Sequence, residues 1–305
     1  MRIIEIEINC NGRSDRVELF PFFDIHIGKA NCNEGAVKKQ VQEILRREKT
    51  PGRHVRVLLG GDVVNAVSPA DRKRFDFSDV ADWLVKGSAE EIKDALADLP
   101  NREIKRAEML LGPIKHLIVG ALEGNHEKAL RKYHNMDVQE RLCEQLECPN
   151  LSDEALIRLR FKRKAGGNTA ATTMVLYMRH GYGAGRKAGA EPSKLADMLA
   201  EWECADVCLS GHSHTFCVLP PKASCFLPMR GDLPKGLVWK HRFAANPGSW
   251  LDSHSIGRGS YESGACYPAR AFMTAKIVVW PFYVTRVNGQ DFQTPKIELR
   301  NYPIL

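Results

Sequence analysis

Five short clusters place carboxylates, imidazoles and an amide beside glycine: Asp24-Ile25-His26-Ile27-Gly28, Gly61-Asp62-Val63-Val64-Asn65, Gly124-Asn125-His126-Glu127, His180-Gly181 and Gly211-His212-Ser213-His214. Each follows a short apolar run, at residues 17–23, 55–59, 117–120, 174–178 and 207–210. Any one cluster alone reads as a polar turn or a cap. Five in a row, all after strand-like runs, read together as a site, because ligands in α/β folds collect at the carboxyl ends of strands. Asp24, Asp62, Asn125, His26, His180, His212 and His214 supply two carboxylates, one amide oxygen and four imidazoles. That is enough for two divalent ions if one aspartate bridges them. Mixed oxygen and nitrogen donors suit Mn²⁺, Fe, Zn²⁺ or Co²⁺. Paired ions ~3.5–4 Å apart serve in-line displacement at phosphorus.

The elements that must position these clusters are legible from periodicity. Residues 1–8 alternate apolar and charged side chains, a strand pattern that lacks the unbroken apolar block of a signal peptide. Residues 17–23 read as a buried strand with Pro21 inside it, so an irregularity or an unpaired donor side is expected there. Asn33 caps a helix over 34–48 whose Val37, Val41, Ile44 and Leu45 share one face. The strand at 55–59 then completes a βαβ unit.

Residues 66–112 form a charge-rich helical insertion between two site-bearing strands, serving as a lid or as packing over the sheet. Within it, Ser88 and Glu91 form a capping box that opens a helix through Ile92, Leu96 and Leu99, and Trp83 and Leu84 anchor an earlier helix. Further helices are expected around Val138, Leu142 and Leu146, and through Leu195, Leu199 and Trp202. Arg158, Arg160, Lys162 and Lys164 give one strand a basic face. Such a face guards an edge strand or lines a nucleic-acid groove. Gly166-Gly167-Asn168 turns that strand into the next. The loop from Gly181 to Lys187 is rich in glycine and ends in two cations, a composition that lets donors approach a phosphate. Asn246-Pro247-Gly248-Ser249 is a turn, and 275–287 is strand-like.

The chain has 305 residues, a net charge of +7 and nine scattered cysteines. Hydrophobic content of 44% and charged content of 27% are those of a soluble globular protein. No apolar run approaches the length of a membrane span. The cysteines lack metal-knuckle spacing and read as reduced thiols, so a cytoplasmic protein without membrane association is expected. The basic balance fits a polyanionic partner such as nucleic acid. With no internal repeat or linker, residues 1–305 read as a single domain; oligomeric state is not readable.

In order, the five clusters match DxH, GDxxN, GNHE, HG and GHSH, and the sequence thereby resembles the calcineurin-like metallophosphoesterases over residues 24–214, with the NPGS turn at 246–249 recurring in that family. The resemblance implies a four-layer α/β/β/α sandwich of two mixed sheets with the metals at one end. It implies that Asp24, His26 and His214 bind a first ion, that Asn125, His180 and His212 bind a second, and that Asp62 bridges. It further implies attack on phosphorus by a metal-bridging hydroxide, with His126 protonating the leaving oxygen and Glu127 in a supporting place. Mn²⁺ is the expected metal.

Two departures matter. The GDxxDRG arginine of Ser/Thr protein phosphatases is missing from Gly61-Asp62-Val63-Val64-Asn65-Ala66-Val67. Asn65 also stands where many members carry an aspartate that pairs with the catalytic histidine. An amide side chain there would orient His126 without stabilising its cation, so Asn65→Asp is expected to raise the pH at which activity falls. The opening DIHIG, the GNHE block and the late Gly259-Ser260-Tyr261 look like a group of phage and bacterial phosphoesterases. The expected activity is phosphodiester hydrolysis, extending to nuclease action. The alternatives are a phosphomonoesterase, a protein phosphatase, or a non-catalytic metal-binding scaffold.

Overall fold

The computed structural model describes residues 1–71, 74–165, 168–183, 187, 189–226, 229–230, 233–234, 238–252, 273–287 and 290–303. The cations at 72–73, the glycine pair at 166–167, positions 184–186 of the glycine-rich loop, and Gly259-Ser260-Tyr261 lie outside the described residues.

In chain order the strands are β1 (Arg2–Cys10), β2 (Arg16–Phe22), β3 (Arg53–Leu59), β4 (Ile118–Ala121), β5 (Glu154–Ala165), β6 (Asn168–Arg179) and β7 (Val207–Ser210). They continue as β8 (Cys217–Val218), β9 (Lys222–Phe226), β10 (Met229–Arg230), β11 (Leu233–Pro234), β12 (Val238–Asn246), β13 (Met273–Val287) and β14 (Gln290–Pro303). The helices are α1 (Glu34–Glu48), α2 (Ala89–Ala97), α3 (Leu99–Leu111), α4 (Asn125–His134), α5 (Val138–Gln145) and α6 (Ala190–Glu201).

Among the described residues β10 and β11 pair only with each other; of the two large sheets, one runs β1-β5-β6-β7-β12-β8, with β9 also on β12, and the other runs β14-β13-β2-β3-β4. Both are mixed: β6, β7 and β12 are parallel while β5 and β6 are antiparallel, and β2, β3 and β4 are parallel while β13 opposes β2.

Alternation along β2 explains the layers. Val17, Leu19 and Phe23 point between the sheets and meet Leu159, Met174, Leu176 and Leu209. Phe20 and Phe22 point the other way, into a core shared with Val41, Ile44, Ile104, Leu111 and Leu142 of α1, α3 and α5. On the far side, Leu195, Met198 and Leu199 of α6 cover Tyr177, Cys208 and Ala244. The order is therefore α/β/β/α, as the resemblance implies. Along β2, the ladder to β3 runs through Pro21 without a break, whereas pairing with β13 ends at Leu19, so the missing donor falls past the end of that ladder.

Asn33 caps α1 by accepting from the Ala36 amide at 2.9 Å, and Arg46 and Arg47 fall in its last turn, where a cation suits the helix dipole. The Ser88–Glu91 capping box opens α2, which stops at Ala97; α3 starts afresh with Pro100 in its first turn, where a missing N–H costs nothing. Trp83 and Leu84 do not lie in a helix: residues 81–87 form turns, and Trp83 is anchored by an indole N–H donated to Glu34 Oε1 at 2.9 Å.

The basic face of β5 is also not at an edge. β1 lies outside it, and Arg158 and Lys162 reach Glu5 and Glu7 of β1 at 3.1 and 2.5 Å. Parallel pairing of a basic strand with an acidic one cancels much of the charge expected to face an edge or a polyanion. No helix among the described residues is long and apolar enough to cross a membrane, and the eight described cysteines are all unpaired.

Candidate metal centre

The five clusters converge at the carboxyl ends of β2, β3, β4, β6 and β7. The loop after β2 is zipped to the loop after β3: His26 N donates to Asp62 O at 2.9 Å, Ile27 N to Val63 O at 3.0 Å, and Asn65 N to Ile27 O at 2.8 Å. The loop after β4 is tied to the same place by Glu127 in the first turn of α4. Its buried carboxylate accepts from the amides of Asp62, Val63, Val64 and Gly124 at 3.1, 2.9, 3.3 and 3.0 Å. Glu127 therefore fixes the aspartate loop.

Gly124 has to be glycine, because an added Cβ would lie 2.0 Å from Asp62 Oδ1 and 2.2 Å from its amide nitrogen. Asp24, His26, Asp62, His212 and His214 all have positive φ, between 50° and 67°.

The side chains fall into two groups that share Asp62. On one side, His26 Nε2 is 3.1 Å from His214 Nε2, and His214 Nε2 is 3.7 Å from Asp24 Oδ1. On the other, Asn125 Oδ1 is 3.0 Å from His180 Nε2 and 2.6 Å from His212 Nδ1. Asp62 Oδ2 stands between them, 3.3 Å from His180 Nε2 and 3.7 Å from His26 Nε2. All seven candidate ligands are thus brought together. His180 Nδ1 faces Gly60 O at 2.9 Å, which turns Nε2 inward. Asp24 Oδ2 accepts from the His212 amide at 2.9 Å, while its buried Oδ1 has no hydrogen-bond partner.

Burial pushes the Asp24 carboxyl up to about 6, against the pull of His214 and His180. Burial also acts on Asp62, but His180 and His126 outweigh it and hold that carboxyl well below the usual carboxylate range. Burial holds His26 well below an ordinary imidazole and His212 down to about 4. His180 is buried too, yet Asp62 lifts it to about 10. Burial, then the Asp62 charge, pushes Glu127 up to about 8. A buried carboxylate oxygen with no hydrogen-bond partner, and with the imidazole nitrogens of His214 and His180 only 3.7 and 3.9 Å away, is costly without a cation, and the oxygen and nitrogen donor set suits first-row divalent ions. The residues present therefore fit the implied metals.

His126 Nδ1 lies 2.5 Å from an oxygen of Asn65, and that oxygen is the main-chain carbonyl. The expected contact through the Asn65 amide side chain is thus replaced by a backbone one. Burial lowers the His126 imidazole, Asp62 and the Asn65 carbonyl oppose it, and the nearby Arg74 adds to it. Arg74 gives its Nε to Asp71 at 2.6 Å, and its buried Nη2 has no partner.

Two residues outside the five clusters also hold the site. Asn246, from the NPGS turn, donates to Ser213 Oγ at 2.9 Å and to Glu191 Oε1 at 2.8 Å, which pins the GHSH loop. Glu103 of α3, fully buried, accepts from the Ala66 amide at 2.7 Å. Its only sequence signal is a carboxylate inside the apolar stripe Leu99, Ile104, Ala107 and Leu111.

No protein-family model and no curated protein matches this chain. Among the solved structures that it resembles, three are similar over 94% of it. One is a conserved protein described as a predicted phosphoesterase from Streptococcus pneumoniae TIGR4 (14% identity, 98% of that chain, TM-score 0.30). The others are Vps29 complexed with zinc from Entamoeba histolytica (12%, 98%, 0.29) and a double mutant of Vps29 from the same organism (14%, 99%, 0.31). Likeness of this degree carries no argument about activity. The layer order and the placement of the five clusters are those that the metallophosphoesterase resemblance implies.

Proposed function

We propose that this protein is a calcineurin-like, divalent-metal-dependent phosphoesterase acting on phosphodiesters. The observation that carries the reading is Asp62 Oδ2 standing between two nitrogen-rich donor groups, 3.3 Å from His180 and 3.7 Å from His26. Asp24, His26 and His214 would hold one ion, Asn125, His180 and His212 the other, and Asp62 would serve both. When bound, paired divalent ions supply Lewis acidity that activates water and neutralises charge on the phosphoryl oxygens.

The chain's own residues do the rest. Glu127 fixes the Asp62 loop through four backbone amides. Asn65 O accepts from His126 Nδ1–H, which leaves Nε2 as the second ring nitrogen. The imidazolium form of His126 carries a proton there that it would give to the departing oxygen, returning to the neutral ring. Arg74, whose Nη2 has no hydrogen-bond partner and whose charge acts on His126, would be the cation to meet the substrate phosphate in place of the missing motif arginine. The net charge of +7 favours an anionic substrate, and nucleic acid is the polyanion proposed. Mn²⁺ is the proposed metal.

The test is incubation with Mn²⁺ and bis-p-nitrophenyl phosphate beside the monoester. Faster release from the diester supports the reading. Faster release from the monoester makes the protein a phosphomonoesterase, and bound metal without turnover makes it a scaffold.

A further inference from the structure

Resting on that phosphoesterase reading, we propose that Glu103 of the insertion helix α3 is a positioning residue for His126, acting through the Asn65–Ala66 peptide. One peptide unit is gripped at both poles. Its carbonyl, Asn65 O, lies 2.5 Å from His126 Nδ1, and its N–H, on Ala66, donates to Glu103 Oε2 at 2.7 Å. A peptide is planar and trans, so its C=O and N–H point in opposite directions. Holding the N–H therefore aims the carbonyl, and the aimed carbonyl orients the imidazole.

Two observations show that this peptide needs an external hold. Ala66 has φ of 49°, a left-handed conformation that alanine does not choose unaided. Glu103 is fully buried in an otherwise apolar helix face, where leucine would pack without a polar cost. Packing alone gives no reason for a carboxyl group there. Its position is also specific. An added Cβ on Gly28, at φ 104°, would fall 2.2 Å from Glu103 Oε1, so the carboxyl group lies against the loop that carries Asp24 and His26 while it is hydrogen-bonded to the one that carries Asp62. The group that backs this histidine thus arrives from the insertion, one peptide removed.

The experiment compares two aryl phosphodiesters that differ only in leaving group, p-nitrophenol and the less acidic phenol, in wild type, Glu103→Gln, Glu103→Asp and Glu103→Leu. Proton donation matters most for the poorer leaving group. Glu103→Leu and Glu103→Asp, whose acceptor is absent or too short to reach, should slow the phenyl ester ~10-fold or more beyond any effect on the p-nitrophenyl ester. Glu103→Gln keeps an acceptor oxygen and should stay near wild type on both. Equal slowing of the two esters, or no slowing, overturns the proposal. A second readout needs no turnover: hydrogen exchange at the Ala66 amide and the imidazole N–H signal of His126 by NMR. Both should be protected in wild type and Glu103→Gln and lost in Glu103→Asp. Retention of both in Glu103→Asp overturns the proposal, while absence of hydrolysis by wild type with these signals intact overturns only the phosphoesterase reading.

Discussion

The Nε2 atoms of His26 and His214 stand 3.1 Å apart, and both belong to the group that contains the unpartnered Asp24 Oδ1. Burial holds His26 well below an ordinary imidazole, which sets a nitrogen donor beside a carboxylate oxygen that has no hydrogen-bond partner, an imbalance inside a buried site. A cation resolves that imbalance. Wild type should bind about two divalent ions per chain. At 100-fold excess over Kd, each ion bound only by the folded state stabilises it by about 2.7 kcal/mol. Metal analysis and thermal unfolding with and without Mn²⁺ measure this. His214→Ala should lose one ion, and Asp62→Asn should weaken both.

His126 contacts Asn65 through the main chain, which separates the two residues experimentally. His126→Ala should keep its metal and lose ~10²–10⁴-fold in turnover. Asn65→Ala retains the carbonyl and should lose far less. The pH profile of Asn65→Asp, expected from sequence to move, should stay close to that of wild type. A large shift in that profile would show that the side chain at 65 acts directly.

Gly124→Ala tests how the aspartate loop is held. Its Cβ would sit 2.0 Å from Asp62 Oδ1, inside contact distance, so Asp62 has to move. Metal stoichiometry should fall in this variant while the far-ultraviolet circular dichroism stays that of the wild type.

Arg74→Ala should raise KM for the phosphate ester with little change in kcat, since the proposed contact is to a group charged in substrate and transition state alike. Steady-state kinetics decide this, and a fall in kcat alone would count against it.

Away from the site, Glu18 on β2 is buried beside Arg47 at 2.8 Å, Arg16 at 3.0 Å and Lys276 at 3.5 Å. Burial raises its carboxyl, but Lys276 and Arg47 outweigh burial and hold it below the usual value. Its folded pKa is thus depressed, so the stabilisation is present above the unfolded value of about 4.3 and fades as pH falls through the folded one. Glu18→Gln should cost ~1.5–3 kcal/mol near neutrality. The gap to wild type should close in acid, as followed by urea unfolding across pH.

Much of this was legible in the sequence because it is local or periodic. Asn33 and its apolar face foretold α1, and the Ser88–Glu91 box foretold the start of α2. The convergence of the five clusters was legible because each follows a strand. What stayed hidden depends on distant partners or on backbone direction. The basic face of β5 reads as an edge until β1, about 150 positions earlier, is seen beside it with Glu5 and Glu7. Trp83 reads as a helix anchor, but its indole donates to Glu34, a partner 49 positions earlier, from a segment of turns. The Asn65 carbonyl could not be preferred over the Asn65 amide without knowing the φ of Ala66.

Five proposed ligands, Asp24, His26, Asp62, His212 and His214, share a left-handed backbone. For residues other than glycine this costs ~1–2 kcal/mol each. Glycine would relieve the cost at every one of these positions and would delete a ligand each time. These are therefore places where selection for thermostability and selection for metal pull in opposite directions. A search for stabilising variants that ignores metal should return glycine at these five sites first, and each such gain in melting temperature would mark a donor lost.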